Sequence, residues 1–310
     1  MKSKLYFSLF ILHFSFLTLL SSCEKPYLND DASSGSPAGM TAGNLTLSVF
    51  QIEQTPFSEY TRTTPSAPIT PSAPITRTVP SEACTRLSFA IYSPDGTRVK
   101  QINQTSDMAD FGHASFQLEE GTYRLAVVAH SSSGNPTMTN PAKIQFDNSD
   151  GYSDTFLYSE DVTIASEPVD LSLTLHRIVA LCRFIITDDY PAGVVKMQFK
   201  YTGGSGAFNA YTSQGCVKST QTVTYSIPSG EKQFDLYTFP YQNTECTIHI
   251  TATALDAASN VLFERLFDVP LARNQITWYS GEFFNEEKVQ SSAVELEVDT
   301  KWDSEVKLTY

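Results

Sequence analysis

Charge, tryptophan and catalytic signatures are all scarce in this sequence, and each scarcity narrows what the chain can be. Only 18% of the 310 residues are Asp, Glu, Lys or Arg, and only two are Trp. Cations are the scarcer charge, with 21 Lys and Arg against 34 Asp and Glu and a formal net charge of −13. Such an acidic body repels nucleic acid and anionic lipid surfaces, so neither is expected as a ligand. There is no H-E-x-x-H, no P-loop and no G-x-S-x-G, and Gly203-Gly204-Ser205-Gly206 lacks the spacing of a nucleophile elbow. Beyond residue 20 the histidines are His113, His130, His176 and His249, each solitary. They read as satisfied structural side chains, and no Ser–His or Cys–His pair can be drawn. The expectation is a chain with no catalytic residues, no metal site and no small-molecule substrate.

Long apolar runs are also missing after residue 20, where nothing approaches the roughly 20 residues a membrane span needs. The one run that exists is Leu5–Leu20, free of Asp, Glu, Lys and Arg and preceded by Met1-Lys2-Ser3-Lys4. A basic start, an apolar stretch and small residues at a cleavage point are the layout of a secretory signal over 1–22. The run closes on Leu20-Ser21-Ser22-Cys23, which resembles a bacterial lipobox. In that reading Cys23 becomes residue one and carries an N-acyl diacylglyceryl lipid, including palmitate-like chains. Several acyl chains give stable anchoring, so the chain is tethered to a membrane rather than spanning it. Loss of 1–22 removes Lys2 and Lys4 and no acid, leaving 19 basic residues against 34 acidic ones and a formal charge of −15.

Cysteine is sparse too. Cys84, Cys182, Cys216 and Cys246 match no zinc spacing, and four thiols in an exported setting leave three pairings open. No disulfide is assigned, and Cys182, inside an apolar run, reads as a core residue.

What is abundant is β-forming sequence: 20 Phe and 15 Tyr, short alternating runs and frequent turns, with no long stretch of 3.6-residue periodicity. Residues 23–43 are polar and read as a flexible tether. Leu45, Leu47 and Val49 alternate with Thr46 and Ser48 as a first strand. Thr64-Pro-Ser-Ala-Pro-Ile69 and its immediate repeat to Ile75 form a Pro/Thr-rich insert over 54–83, since proline at this density forbids a sheet interior. Arg62 and Arg77, each in a Thr-Arg-Thr context, are possible processing points there. Strands follow at Arg86–Tyr92, Arg98–Gln104, Ala114–Leu118, Thr122–Ala129, Lys143–Phe146, Glu160–Ile164 and Val169–Leu175, giving a sandwich over 44–175. The apolar stretch Leu171–Ile186 fits two strands in series, handing over to a second sandwich over 176–285. Its strands are expected at Val195–Tyr201, Thr222–Ile227, Phe234–Phe239, Thr247–Leu255, Val261–Val269 and Ile276–Phe284, and Gly203–Gly206 is read as a loop. Each sandwich has about seven strands. A tail over 286–310 again alternates, at Val294, Leu296 and Val298, and either completes its own sheet or joins another.

Two further segments invite a ligand. Asp147–Asp154 looks like a calcium loop, but counting back from Gly151 puts Phe146 where the first carboxylate belongs, so an Asx-rich turn is favoured. Tyr201, Phe208 and Tyr211 beside the glycines are candidates to stack on sugars; core packing is the favoured reading.

Taken in order, the lipobox at Cys23, Arg86-Leu-Ser-Phe-Ala-Ile-Tyr-Ser-Pro-Asp-Gly96, Leu118-Glu-Glu-Gly-Thr-Tyr-Arg-Leu125, Leu175–Phe184, Arg273-Asn-Gln-Ile-Thr277 with Gly281, and Trp302-Asp303 resemble the FimB-like fimbrillin-associated anchor family, minor subunits of type V fimbriae in Bacteroidota. The resemblance spans nearly the whole chain after Cys23, except around 54–83. It implies an all-β fold of two tandem transthyretin-like β-sandwich domains, a lipid anchor at the cell outer membrane, surface exposure in a fimbrium, and no catalysis. It also implies other fimbrial subunits as partners, joined by β-strand addition, with Leu45, Leu47 and Val49 as a displaceable strand and Val294, Leu296 and Val298 as a donated one. The alternatives are a surface glycan-binding lipoprotein, from another class, and an accessory or tip fimbrial adhesin within the same one.

Overall fold

Alternation of apolar and polar residues decides where the first strand lies and which face it buries. The structure, a computed structural model, describes residues 44–54, 76–78, 80–227, 230–285 and 304–310. Strand β1 (Leu45–Gln54) turns Leu45, Leu47 and Val49 inward. It pairs in parallel with β10 (Val169–Arg177), Leu45 opposite Val169 and Ile52 opposite Leu175. Its other edge carries two short antiparallel strands, β2 (Thr76–Thr78) and β5 (His113–Phe116). At its end β10 leaves this sheet, and His176 and Arg177 pair with β9 (Thr155–Ile164). From β9 an antiparallel series runs through β6 (Gly121–His130), β3 (Arg86–Tyr92) and β4 (Arg98–Thr105). The two layers share one core that includes Leu45, Leu47, Phe89, Val127, Phe156 and Leu173.

The second half repeats the plan with more aromatic residues. Strand β11 (Ala180–Ile186) lies between antiparallel β17 (Gln233–Pro240) and parallel β20 (Gln275–Gly281). The far side of β20 holds β21 (Ser304–Thr309), again parallel. Facing this sheet is a second one in the order β16 (Gln221–Ser226), β12 (Lys196–Thr202), β18 (Glu245–Leu255), β19 (Val261–Ala272). Between them Phe184, Phe199 and Phe234 pack with centroid separations of 5.1 Å from Phe199 to each neighbour.

A third sheet joins the halves. Strands β7 (Thr137–Asn140) and β8 (Lys143–Gln145) come from the first half, and β14 (Ala207–Asn209) and β15 (Gln214–Gly215) from the second. Ile144 pairs with Phe208, and the Phe146 N–H donates to the Gly206 carbonyl at 3.1 Å. This sheet covers the outer face of β3 and β6, so both strands are buried on both faces, with Ala90 and Ala126 keeping that face flat. Asn148 adds a backbone-like pair, donating to the Thr222 carbonyl and accepting from the Thr222 N–H. By its contacts the chain from Ala42 to Tyr310 is one compact unit, and the expected handover at 175/176 falls inside β10.

Three local readings change. The glycine stretch Gly203–Gly206 is not a loop: Gly204–Ser205 is a two-residue strand, β13, paired with Pro240 and Phe239 of β17. A Cβ at 204 would run into Thr238 Oγ1, so glycine serves close approach there rather than flexibility. Within the expected insert, Thr76–Thr78 takes up the ladder offered by Ile52–Gln54, and Pro80–Ala83 forms a one-turn helix, α1. Strand β9 begins at Thr155 rather than Glu160, because its first residues are needed under the third sheet. The Asp147 segment is an Asx turn, Asp147 Oδ1 accepting from the Ser149 N–H at 2.8 Å.

Phe239 is 1% exposed and lies between Phe146 (6.0 Å) and Phe208 (5.0 Å), one ring from each half. Phe239→Ala is expected to cost about 3–5 kcal/mol in urea unfolding and to loosen the β8–β14 pairing, read as faster amide exchange at Ile144 and Phe208. Unchanged exchange at those two amides would mean that the rings do not hold the third sheet.

Candidate functional site

Of the residues expected to join subunits, Leu45, Leu47 and Val49 lie in the described structure, and the chain has a strand seat at each end of its body. In the first, Leu45 and Leu47 are fully buried and Val49 is 6% exposed. Asn44 fixes the entry of the strand, its side chain donating to the Leu118 carbonyl at 2.7 Å and accepting from the Leu118 N–H at 2.9 Å. The Val169 N–H donates to the Asn44 carbonyl at 2.9 Å, setting the parallel register with β10. At the other end the Val49 N–H donates to the Gly112 carbonyl at 2.7 Å, where Gln104 Oε1 accepts from the Gly112 N–H. The strand therefore has ladder partners on both sides and three apolar anchors, each giving about 1.5–3 kcal/mol on burial.

The second seat is at the other end of the sequence. Val294, Leu296 and Val298 lie outside the described residues, as do Cys23 and Arg62. Arg77 lies in β2, its backbone opposite Glu53. The tail strand itself is β21, pairing Gln275 with Ser304 through Ser280 with Thr309, and it forms the outer edge of its sheet. Leu308 is 8% exposed in the second core. Tyr310 is the clasp. Its ring stacks 5.2 Å from both Phe184 and Tyr279, its hydroxyl donates to the Ile185 carbonyl at 3.2 Å, and its N–H donates to the Ser280 carbonyl at 3.0 Å. Burial pushes the Tyr310 hydroxyl well above the usual tyrosine range. The ring fits because residue 281 has no side chain: a Cβ there would strike the Tyr310 carbonyl oxygen and lie 2.7 Å from the ring.

The remaining candidates disperse. Among the described residues no three His, Cys, Asp or Glu side chains converge, and Cys84, Cys182, Cys216 and Cys246 are free thiols, with Cys182 fully buried. Tyr201 and Phe208 are core residues, whereas Tyr211 is 48% exposed with the Arg124 guanidinium 4.9 Å from its ring centroid. His113 bonds to Ser48 and His249 to Asp268. His130 departs from the satisfied-histidine expectation. It is fully buried, edge-on to Phe146 at 5.0 Å, and neither ring nitrogen has a partner among the described residues. A histidine at the end of an unbroken apolar strand, Leu125–Ala129, was the available signal.

Two outcomes test the clasp and the buried histidine. Gly281→Ala is expected to cost roughly 1–3 kcal/mol and to release the clasp, seen as lost amide protection over 305–309 with β11 unchanged. For His130, burial lowers the pKa from 6.5 to about 4, with the Arg86 charge acting in the same direction. The unfolded chain takes up that proton first, so stability is complete above pH 6.5 and is lost as pH falls toward 4. His130→Phe should remove about 2 kcal/mol of the stability difference between pH 7 and pH 4.5 in denaturant titrations. An identical pH dependence in the variant would exonerate His130.

Solved structures similar to the chain include a proposed adhesin from Bacteroides ovatus, at 14% identity and a TM-score of 0.44 over 61% of this chain and 78% of that one. A fimbrial assembly protein from Parabacteroides distasonis aligns at 13% identity and a TM-score of 0.40, over 74% of this chain and 93% of its own. The fimbrial anchor protein Mfa2 from Porphyromonas gingivalis aligns at 11% identity and a TM-score of 0.38, over 71% and 80%. No curated protein matches the sequence. A family model does match, and it covers residues 42–310, the whole body that carries both strand seats: the chain belongs to a family of unknown function, DUF6562.

Proposed function

We propose that the chain is a lipid-anchored fimbrial subunit that holds a fimbrial shaft to the outer membrane and affects its assembly or length. The observation that carries this reading is the order basic start, apolar run and Leu20-Ser21-Ser22-Cys23, followed by a polar tether and an all-β body. The lipid on Cys23 supplies the hold on the membrane, and residues 24–43 supply reach.

Strand addition supplies the hold on the next subunit. A sheet edge exposes a row of unpaired N–H and C=O groups, and a strand from another chain satisfies them. Two places suit that exchange. Strand β1 is an autonomous segment at the start of the body whose three anchors fill a slot between β10 and β5. Strand β21 is a six-residue strand at the end of its sheet, laddered to β20 and followed directly by the Tyr310 clasp. In either place the ladder bonds lost on displacement are regained from the incoming strand, so the exchange is nearly neutral in hydrogen bonding and is decided by side-chain fit.

Cys23→Ala in the native host is expected to move the protein, and any fimbriae it carries, from the cell fraction into the medium. Immunoblots of both fractions and electron microscopy of the cells provide the readout. Retention of the protein and fimbriae on the cells would overturn the anchor reading.

A further inference from the structure

Strand β9 is bonded to β6 along its full length, from Thr155 to Ile164. On its other side it meets β10 only at Phe156 and Leu157. Beyond that contact the strands part, as β10 pairs with β1 over Val169–Leu175. The direction of the unpaired groups follows from two printed bonds and the two-residue period of a strand. The Ile178 N–H donates to the Thr155 carbonyl at 3.0 Å, so the backbone groups of Ser159, Asp161 and Thr163 also point to the β10 side. The Val169 N–H donates toward β1, so those of Asp170, Ser172 and Thr174 point to the β9 side. Two rows of backbone donors and acceptors thus face each other across a wedge. Arg124 donates to the Ser159 carbonyl at 3.2 Å; the other groups of the two rows have no ladder partner among the described residues.

The wedge opens as a cleft of about 370 Å³ whose lining includes Ser159 and Glu160 from β9, Ser172, Thr174 and His176 from β10, and Ser213 from the turn between β14 and β15. Ser159 Oγ is buried against it without a hydrogen-bond partner among the described residues. The two longest outer strands are blunted. Strand β4 carries Arg98, Lys100 and a bulge at Val99, and β19 carries Pro270 and a bulge at Leu262. The facing stretches Tyr158–Ile164 and Val169–His176 have no Pro, no Lys and no bulge of their own. The exposed charges on the two stretches and the turn between them are negative, at Glu160, Asp161, Glu167 and Asp170; of the guanidiniums nearby, Arg124 is paired with Asp161 at 2.9 Å and Arg273 donates to the Ser213 carbonyl at 3.3 Å.

We propose that this wedge is a strand-acceptor site for an extended, lysine- or arginine-rich segment of a partner polypeptide, which adds between β9 and β10 and joins the two layers into one continuous sheet. The inference builds on the strand-addition reading above but sits elsewhere, leaving β1 in its seat. It requires neither the lipid nor the exchange of β21.

The test uses the full chain and two synthetic heptapeptides, one alternating lysine and valine, the other alternating glutamate and valine. The lysine peptide is expected to bind, more weakly as salt rises, and to slow amide exchange roughly tenfold or more at Ser159, Asp161, Thr163, Ser172 and Thr174. Glu160→Gln combined with Asp170→Asn should weaken that binding about tenfold without changing the melting temperature. Ser172→Pro, which removes an N–H the fold does not use, should abolish it. Absence of binding, equal binding of the glutamate peptide, or protection that falls on β1 and β5 instead would overturn the wedge assignment. None of those outcomes bears on whether Cys23 anchors the protein.

Discussion

A single guanidinium holds the crossing between the two halves. Arg177 ends β10 with a side chain 4% exposed; its Nε and Nη2 donate to the two Asp154 oxygens at 2.7 Å each, and its Nη1 donates to Asn274 Oδ1 at 3.0 Å. The Phe156 ring lies 4.8 Å from the guanidinium carbon, so the charge is both paired and sandwiched. Asp154 enters β9, and Asn274 sits in the β19–β20 turn with φ 59°, its N–H donating to the Val179 carbonyl. Three segments far apart in sequence therefore meet on one side chain. Such an arrangement gives little net stability by itself, but it fixes register, because a misaligned chain would leave a buried charge unpaired.

With that register set, the apolar packing has one solution. Ile178 and Val179, the two residues between β10 and β11, are buried in the same cluster as Phe146, Phe208 and Phe239. The linker is thus part of a core rather than a hinge, and the third sheet is bonded to both halves through main-chain groups. Burial of β3 and β6 on both faces follows from this, since each has one core beneath it and another above.

The strands were legible wherever alternation was clean or a turn bounded an apolar run: Leu45–Val49 and Met197–Tyr201 in the first way, Arg86–Tyr92 in the second, are strands in the expected places. The turn Ser93–Gly96 was equally plain. Of the third sheet only the strand at Lys143 was legible: the others are two to four residues long, too short for a period, and the pairing that joins its two hairpins, β8 with β14, spans more than 60 positions. A hint was present in Phe89–Tyr92 and Leu125–Ala129, which are apolar without interruption and so too apolar for strands with one wet face. The glycines at 203–206 misled because the same residue marks flexible loops and tight backbone approaches. Of the site residues, the burial of Leu45, Leu47 and Val49 could be read from their spacing. The clasp by Tyr310 could not, since it depends on the absent side chain of Gly281.

The parallel pairings carry a consequence for how the chain reaches its fold. Leu45 meets Val169, and Gln275 meets Ser304, so neither contact can form as a local hairpin. Closing such long loops is slow, and the apolar row of β1 stays uncovered until β10 has emerged. Until then the exposed row is a sticky surface of the partly folded chain. Under the strand-addition proposal, the same delay would make the moment of first folding, rather than the finished molecule, the point at which a foreign strand competes for the β1 slot on equal terms.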